Sequence, residues 1–405
     1  MLKQLLPNRQ NFNGADLIFT LNAAAQKRAA SGAPVINATI GALLDDHGKL
    51  VVLDTVMQQY SLLTPPEIAP YAPIAGDAAY LLALTQRQWP ELTSYGAGVA
   101  TPGGSGALAL SIRNLLEPGQ TLLSVAPFWG PYTTLAGENS VSLETVPYPA
   151  AGAAADIAVW REACTRILKQ QGRLLFWLND PCHNPTGRSL SAADRSALFA
   201  ALRDVSTLGP VTLLLDLAYL DYTRHPQDVR IALDEYRDFA EEGVVLVGAA
   251  LSLSKAFTIY GARAGALVFP WSNDPALQSA LATSCRGSFS NCARAPMSVL
   301  LRVSRDAMVQ ASLASEHAHW NVVLAERADA LDSALKAEGL SGAPWQGGFF
   351  VALETQNAFA VCEELQEDGV FVVPMPEGLR VGICGLKKQD APRFAASMRR
   401  RIQLP

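Results

Sequence analysis

The sequence has little that would place the chain in a membrane, outside the cell or on nucleic acid. No apolar stretch approaches the ~20 residues that a membrane span requires, and the first ten residues lack the hydrophobic region of a secretory signal. A net charge of −5 and a pI near 5.6 argue against nucleic acid or an anionic membrane as the main partner. The six cysteines show no C-x-x-C spacing, which is typical of free thiols in a reducing compartment. We therefore expect a soluble, cytoplasmic protein.

Histidine and charged residues are also scarce. The chain has five histidines, and His317 and His319 share a predicted solvated helix without a third ligand, so we predict no metal site. We interpret His183 as a structural histidine. Charged residues make up 17% of the chain and hydrophobic residues 49%, which predicts a large core and argues against disorder.

The middle of the chain alternates short apolar runs with amphipathic stretches. The predicted strands are 121–125, 173–178, 211–215, 244–249 and 265–268, and the predicted helices between them include 156–170 and 192–203. This alternation is typical of βαβ units, which form a mostly parallel sheet with helices on both faces. Such sheets bind ligands beyond the carboxyl ends of their strands.

The C-terminal part has a different pattern. A long helix is predicted near 305–336, a second helix at 358–367, and strands at 370–374 and 379–383. This α+β pattern predicts a smaller domain, with which we expect the N-terminal segment to pack. The length of 405 residues suits one large α/β domain and a smaller companion. The predicted domains are 46–300 for the larger, and 1–45 with 301–405 for the smaller.

Lys255 is the most informative single residue. It closes the apolar run 244–255 and is the only lysine between Lys169 and Lys336. A lysine at the end of a buried strand loses solvation, which favours the neutral amine and makes it a potential nucleophile toward carbonyls. The alternative is a strand-end lysine whose amine simply reaches back to water.

Several groups could accompany Lys255 in binding a phosphate. Ser252 lies three residues before it and Arg263 eight after it. Residues 101–106, Thr-Pro-Gly-Gly-Ser-Gly, lead into a helix predicted at 107–116, where glycines let an anion approach the free N–H groups of the helix N-terminus. A hydroxyl and a guanidinium beside a Schiff-base lysine suit a phosphate-bearing aldehyde. Taken alone, the glycine-rich stretch could equally be a tight turn.

Two further polar residues follow predicted strands. Asp216 comes directly after the strand 211–215 and could pair with a cationic heterocycle, or cap a helix. Asn184 begins the turn Asn-Pro-Thr-Gly and could donate to a ligand oxygen, or serve the turn alone. Both lie where ligands of such sheets bind.

These segments follow one another in a recognisable order. The order is Gly-Gly-Ser-Gly at 103–106, Trp129, Asn-Pro-Thr-Gly at 184–187, Asp-x-Ala-Tyr at 216–219, Ser-x-Ser-Lys at 252–255 and Arg263. It resembles the class I aminotransferases, pyridoxal-phosphate enzymes of fold type I, and most closely their aspartate and aromatic amino-acid branch. The resemblance runs from about Asn37 to Gly385. It implies a three-layer αβα large domain with a mostly parallel sheet, and a smaller α+β domain.

The resemblance implies the cofactor pyridoxal 5'-phosphate and a role for each matching residue. Lys255 would form a Schiff base with the cofactor and then move the proton at Cα, and Asp216 would pair with the ring nitrogen. Tyr219 and Asn184 would hydrogen-bond the phenolic oxygen, and Trp129 would stack on the ring. The implied phosphate ligands are Gly104, Ser105, Ser252 and Arg263.

The resemblance also implies residues for the substrate and for a homodimer with shared sites. Arg380 would clamp the α-carboxylate, since a forked donor suits a planar acid; standing alone, it would be a surface charge. Tyr71 matches the tyrosine that reaches the neighbour's phosphate. Arg286 matches the arginine that binds a side-chain carboxylate of the neighbour's substrate. The other implied substrate contacts are Gly41, Asn184 and Trp129.

Three departures from the family pattern bear on substrate choice. Tyr132 stands where aspartate-type members often have a histidine behind the aspartate of the ring nitrogen. Residues 71–74, Tyr-Ala-Pro-Ile, replace a glycine-bearing turn, and residues 291–294, Asn-Cys-Ala-Arg, replace an expected Asn-Pro-Pro. Arg294 could therefore compete with Arg286 as an anion binder.

The implied reaction is a ping-pong amino transfer. It would run between an L-amino acid, aspartate-like dicarboxylic or aromatic, and a 2-oxo acid such as 2-oxoglutarate. A pyridoxal-phosphate-dependent lyase or decarboxylase on the same fold is the alternative, since the fold alone does not choose the bond that breaks. A non-enzymatic effector-binding module is disfavoured by the acidic charge and by the presence of Lys255 and Asp216.

Overall fold

The computed structural model describes residues 4–5 and 16–402. The strands are β1 (Ile36–Asn37), β2 (Ala97–Thr101), β3 (Thr121–Ala126), β4 (Ser142–Pro147), β5 (Leu174–Leu178), β6 (Val211–Asp216), β7 (Leu246–Ser252), β8 (Gly265–Phe269), β9 (Phe350–Glu354), β10 (Val370–Phe371), β11 (Val373–Met375) and β12 (Gly378–Gly382). The helices are α1 (Leu17–Ala30), α2 (Asp54–Ser61), α3 (Pro65–Ile68), α4 (Ala78–Gln86), α5 (Gly103–Leu115), α6 (Pro131–Glu138), α7 (Ile157–Gln171), α8 (Ala192–Ser206), α9 (Pro226–Glu241), α10 (Leu253–Ala256), α11 (Pro275–Phe289), α12 (Arg294–Arg305), α13 (Ala307–Ala337), α14 (Ala358–Glu367) and α15 (Ala391–Arg401).

The described chain forms two compact units. The larger contains residues 42–326 and 344–351, and the smaller contains the described residues up to Gly41, 327–343 and those from Ala352 onward. The predicted division differs most at 301–326, which belongs to the larger unit. The long helix α13 accounts for this difference, because it continues through the point of division. The predicted packing of the N-terminal segment falls partly on residues 1–3 and 6–15, which lie outside the described residues.

The larger unit is built on a seven-stranded sheet with the order β2-β8-β7-β6-β5-β3-β4. Strand β8 runs antiparallel to β2 and β7, and the other neighbouring pairs are parallel. The predicted α/β class with a mostly parallel sheet is therefore confirmed. Every residue of β5 and β6 is buried, which is the pattern of strands covered on both faces.

Helices of the larger unit pack along this sheet and fix its loops. Helix α5 contacts β7 and β8, α7 contacts β5, and α8 contacts β6. The carboxyl ends of β5, β6 and β7 lie side by side, since Leu178 pairs with Leu215 and Asp216 with Ala250. The loops that leave these three strands therefore start at one edge of the sheet.

The smaller unit has the predicted α+β character. Strands β1 and β10 pair in parallel, and β11 and β12 form an antiparallel pair in which Val373 lies opposite Arg380. The strand predicted at 370–374 is divided between β10 and β11. Helix α14 has the predicted bounds.

The described part of the chain contains no helix with the length and apolar character needed to cross a membrane. It also contains no group of three histidine, cysteine, aspartate or glutamate side chains that could hold a metal ion. The six cysteines are all buried and form no disulfide in the structure.

Candidate active site

A cavity of about 150 Å³ lies in the larger unit, where strands β5, β6 and β7 end. Its lining consists of Gly104, Ser105, Leu108, Trp129, Asn179, Asn184, Asp216, Ala218, Tyr219, Ser252, Ser254, Lys255, Tyr260 and Arg263. Nine of the ten residues predicted to hold the cofactor are among them. The tenth, Tyr71, is not in the lining and has a fractional exposure of 89%. Its predicted role, at a neighbouring subunit, stays a prediction.

Lys255 reaches the cavity from a short helix that follows a buried strand. Strand β7 ends at Ser252, whose hydroxyl accepts a hydrogen bond from the backbone N–H of Ser254 (3.2 Å) and so caps α10. Lys255 lies in that single helical turn, three residues after the last residue of β7, whereas the sequence predicts it at the end of the strand itself. Its Nζ is 5.2 Å from the centre of the Tyr219 ring. The amine thus stands beside an aromatic face at the centre of the cavity lining.

The N-terminus of α5 and Arg263 lie together in the cavity lining, at the predicted phosphate end. Gly103 has a φ of +72°, and a Cβ there would lie 2.6 Å from Arg263 Nη2. The guanidinium donates to Ser254 Oγ (3.2 Å) and to the carbonyl oxygens of Tyr260 (3.0 Å) and Pro102 (3.2 Å). Among residues 16–402 no carboxylate pairs with Arg263, so its charge can serve a ligand. A guanidinium beside a helix N-terminus suits a phosphate dianion.

Asp216 supplies a buried carboxylate at the end of β6. Its Oδ2 accepts a hydrogen bond from the hydroxyl of Tyr132 at 2.8 Å, and both residues are buried. Burial raises the pKa of Asp216, while the Tyr132 hydrogen bond, the positive charge of Lys255 and the N–H of Ala218 act in the opposite direction. A buried carboxylate gains most from a cationic partner, such as a protonated ring nitrogen.

Asn179 connects the loops that carry Asp216 and Asn184. Its Oδ1 accepts from the backbone N–H of Asn184 (2.5 Å), and its Nδ2 donates to the carbonyl oxygen of Asp216 (2.6 Å). Asn184 in turn donates to the Tyr219 hydroxyl (3.2 Å). The Oδ1 of Asn184 is buried and has no hydrogen-bond partner among the described residues. It is therefore a polar atom for which a ligand would supply the partner.

The predicted substrate residues are distributed over both units. Trp129 and Asn184 line the cavity, whereas Gly41 and Arg380 belong to the smaller unit. Arg380 is buried there on β12, and its Nη2 donates to the carbonyl oxygen of Thr39 (2.8 Å). Its predicted role in binding the α-carboxylate stays a prediction.

Arg286 and Arg294 differ in their surroundings. Arg286 is exposed near the end of α11 and donates to Ser290 Oγ at 2.7 Å. Arg294 lies 3.8 Å from Asp77 Oδ2. Because this carboxylate already offsets part of the charge of Arg294, Arg286 is the better candidate of the two for a substrate anion.

Five residues of the cavity lining are missing from the predicted set. Leu108 and Ala218 have apolar side chains, and the other three are polar. Asn179 follows β5. Its bond with Asn184 lies within one loop, whereas its bond to the carbonyl oxygen of Asp216 joins residues 37 positions apart, which no local pattern reveals. Ser254 lies inside the Ser-x-Ser-Lys motif, which was the available signal. Tyr260 lies in the segment between Lys255 and Arg263, and its hydroxyl accepts a hydrogen bond from the backbone N–H of Leu43 (3.0 Å).

One of the predictions about the histidines, the exposure of His317, is wrong. His183 is buried, stacks on Tyr148 at 4.0 Å and shares a hydrogen bond of 2.9 Å between its Nδ1 and Thr186 Oγ1, as a structural histidine would. His317 is also buried, with its Nε2 2.7 Å from the carbonyl oxygen of Ala256, so the prediction of a solvated position for it is wrong. Helix α13 turns this side chain toward the larger unit's core, whereas His319 is exposed.

The residues present fit pyridoxal phosphate. Arg263 and the start of α5 would take the phosphate, and Asp216 the ring nitrogen. Asn184 and Tyr219 are hydrogen-bonding groups for the phenolic oxygen, and Lys255 is an amine for the aldehyde. The buried, unpartnered Oδ1 of Asn184 and the buried carboxylate of Asp216 are the specific observations that favour a polar, cationic ligand here.

Comparisons with known proteins agree with this arrangement. Residues 33–398 match the family model described as aminotransferase class I and II. The tyrosine aminotransferase of Rhizobium meliloti is 25% identical over 370 residues, which are 88% of this chain and 90% of that protein. The histidinol-phosphate aminotransferase 1 of Mesorhizobium japonicum is 28% identical over 277 residues, 67% of this chain and 66% of that protein.

A solved structure extends the likeness to the whole chain. The aminotransferase from Anaerococcus prevotii is 28% identical, with a TM-score of 0.91 over 99% of this chain and 100% of that one. Other relatives are named aspartate aminotransferase and probable N-succinyldiaminopimelate aminotransferase, and solved aspartate and aromatic amino-acid aminotransferases share the fold. Because the family match covers most of its length, the chain belongs to the class I and II aminotransferases, which confirms the predicted fold type I and the predicted pyridoxal-phosphate-dependent enzyme.

Proposed function

We propose that the chain transfers amino groups between an aspartate-like dicarboxylic or aromatic L-amino acid and a 2-oxo acid such as 2-oxoglutarate. The reaction would be ping-pong: the amino donor leaves as its 2-oxo acid before the acceptor 2-oxo acid binds. The observation that supports it is the meeting of Lys255, Asp216 and Arg263 around one cavity. The relatives' names support an amino-acid donor and leave its side chain open, since they include tyrosine, aspartate and histidinol-phosphate aminotransferases.

The chain's own groups divide the chemistry among them. When bound, pyridoxal phosphate supplies an electron sink for the electron pair released at Cα of the amino acid. Asp216 keeps the ring nitrogen protonated, so that this sink is effective. The Lys255 amine takes the proton from Cα of the amino donor. In the second half-reaction it gives a proton to Cα of the 2-oxo acid that becomes the new amino acid. Arg263 and the α5 N-terminus hold the phosphate and so fix the ring against these groups.

The dicarboxylic preference rests on Arg286. This residue is exposed and donates to Ser290, and no carboxylate among the described residues pairs with it. A guanidinium in that condition can bind the side-chain acid of a substrate in a bidentate manner. It would act at the site of a second copy of the chain, as in the predicted homodimer.

A surface of the larger unit supports the homodimer. Seven large apolar residues are exposed between positions 50 and 74, and we call them the apolar stretch: Leu50, Val52, Met57, Leu62, Ile68, Tyr71 and Ile74. Large apolar side chains left exposed in this number favour a partner surface in this part of the chain, and Tyr71 is the residue predicted to reach the neighbour's phosphate. We also propose a cytoplasmic location, in agreement with the six unpaired cysteines.

Steady-state rates of amino transfer from different amino acids test the substrate proposal. We expect Arg286→Ala to raise KM for L-aspartate about tenfold or more, while KM for L-phenylalanine changes little, because only aspartate brings a second carboxylate. Arg294→Ala is the matched control and should leave both values nearly unchanged. Equal losses for both substrates would refute the role of Arg286. Release of product without conversion of the cofactor to its amine form would instead favour a lyase.

A further inference from the structure

The carboxylate of Asp216 is held by a single side chain. The hydroxyl of Tyr132 donates to Oδ2 at 2.8 Å, and no other side chain among the described residues donates to this carboxylate. The Lys255 charge and the Ala218 N–H also face it. The amide of Asn179 donates to the backbone carbonyl of Asp216 instead. The ionisation and the orientation of this carboxylate therefore depend strongly on one phenol.

Tyr132 is itself fixed by aromatic neighbours. Its ring packs edge-on against Trp177, with centroids 4.9 Å apart, and against Trp129 at 5.9 Å, and it lies nearly parallel to Phe128 at 6.1 Å. Its backbone N–H donates to the carbonyl oxygen of Trp129 (2.9 Å) at the start of α6. The hydroxyl is thus held in place before any ligand arrives.

The phenol remains a donor at any working pH. Burial raises the pKa of Tyr132 well above its ordinary value, and the neighbouring charge of Asp216 raises it further. A neutral hydroxyl that donates to a carboxylate stabilises the ionised form of that carboxylate. This stabilisation opposes the burial that raises the pKa of Asp216.

We propose that Tyr132 is a positioning residue for the cofactor. It keeps Asp216 ionised and fixed in one orientation, and it does so from the same turn that presents Trp129 to the cavity. The proposal rests on the proposed function, because it assumes that Asp216 pairs with the cofactor's ring nitrogen. Tyr132 touches neither cofactor nor substrate in this role and acts through Asp216.

The test compares two buried tyrosines. Tyr132→Phe removes the hydroxyl on Asp216, and Tyr148→Phe removes a buried hydroxyl that has no hydrogen-bond partner among the described residues. Binding of pyridoxal phosphate to each apoenzyme is measured by spectroscopic titration from pH 5 to 9. We expect Tyr132→Phe to weaken binding about tenfold, the loss of one hydrogen bond to a charged group, and Tyr148→Phe to match the unchanged protein.

The pH dependence separates positioning from packing. Affinity requires ionised Asp216, so it falls as the pH drops through the pKa of that carboxyl group. Removing the donor raises this pKa, and the acid limb of the binding curve should move to higher pH in Tyr132→Phe. Site-specific 3-fluorotyrosine at 132, a stronger donor, should move the limb to lower pH, and it also serves if Tyr132→Phe does not fold.

The outcomes are distinct. An unchanged protein that binds no pyridoxal phosphate contradicts the proposed function itself. If that protein binds the cofactor but the acid limb is the same with tyrosine, phenylalanine and fluorotyrosine at 132, the role of Tyr132 is refuted. Equal effects of Tyr132→Phe and Tyr148→Phe on cofactor binding would also refute it, because the effect would then not depend on the hydrogen bond to Asp216.

Discussion

At the scale of single residues, the shape of the cavity depends on the backbone conformation of certain glycines as well as on charged side chains. Gly103 and Gly119 both have positive φ angles, +72° and +86°. At Gly103 an added Cβ would lie 2.6 Å from Arg263, a predicted phosphate ligand, whereas at Gly119 the space is open. Substitutions at the two glycines therefore distinguish the effect of backbone strain from the effect of displacing Arg263 at the predicted phosphate end of the cavity.

Alanine at each glycine tests this distinction. Both Gly103→Ala and Gly119→Ala should lower the free energy of unfolding by about 1–2 kcal/mol, since both place a Cβ in a left-handed conformation. Only Gly103→Ala should also weaken pyridoxal phosphate binding, by about tenfold or more, because it displaces Arg263. Chemical denaturation and cofactor titration give the two quantities. Equal cofactor affinities in the two variants would contradict the assignment of the phosphate end.

At the scale of elements, the turn after β5 is held by a buried acid. Asp180 is fully buried and accepts from the hydroxyl of Tyr236 (2.7 Å) and the N–H of Leu190 (2.7 Å). Arg195 lies 4.0 Å away. Burial raises the pKa of Asp180 to about 6, although Arg195 lowers it. This network supports the loop that carries Asn179 and Asn184.

Stability should therefore change with pH through Asp180. The folded protein binds this proton more tightly than the unfolded chain, with pKa values of about 6 and 3.8, so the stabilisation is present below pH 3.8 and is lost as pH rises through 6. At 1.36 kcal/mol per pKa unit this amounts to about 3 kcal/mol. The unfolding free energy of the unchanged protein minus that of Asp180→Asn should fall by about that amount between pH 3 and 7.

Tyr236→Phe is the companion variant for this measurement. It removes a donor that stabilises the ionised form of Asp180, so the pH range over which the stabilisation is lost should extend to higher pH. Unfolding curves that run parallel for the unchanged protein and Asp180→Asn over the whole range would show that Asp180 does not titrate in this window.

The elements also show what the sequence could predict. Strands such as β6 are runs of large apolar residues, and their burial on both faces gives a strong pattern. Strand β2, Ala-Gly-Val-Ala-Thr, is absent from the predicted strands because close neighbours require small residues there: a Cβ on Gly98 would lie 3.0 Å from Val268, and one on Gly76 would lie 2.5 Å from Ala100. Small residues carry little hydrophobic signal.

The same reasoning applies to the site. Lys255 and Asp216 are predictable because each follows a recognisable strand within a local motif. The bonds to Asp216 from Asn179 and from Tyr132 join residues that are 37 and 84 positions apart, so no local pattern contains them. The sequence indicates that Tyr132 departs from the family pattern, but its hydrogen bond to Asp216 is evident only from the structure.

At the scale of the whole molecule, we expect a pair of chains. Replacing Ile68 and Ile74 of the apolar stretch by aspartate places two charges on an exposed apolar surface, which should convert dimers to monomers, because charges at the core of an interface lose their hydration. The control double variant, Val159→Asp with Ile231→Asp, changes exposed apolar residues on α7 and α9. Sedimentation velocity measures the result. Monomers in the unchanged protein, or dimers in both variants, would contradict this interface.

The measurement that tests the central claim most directly is reduction of the cofactor-loaded protein with borohydride, followed by peptide mapping. A Schiff base is reduced to a stable secondary amine, so the modified lysine can be identified by mass. We predict the cofactor adduct on the peptide that contains Lys255, and no adduct in Lys255→Ala. An adduct confined to another lysine, or no adduct in a protein saturated with pyridoxal phosphate, would contradict it.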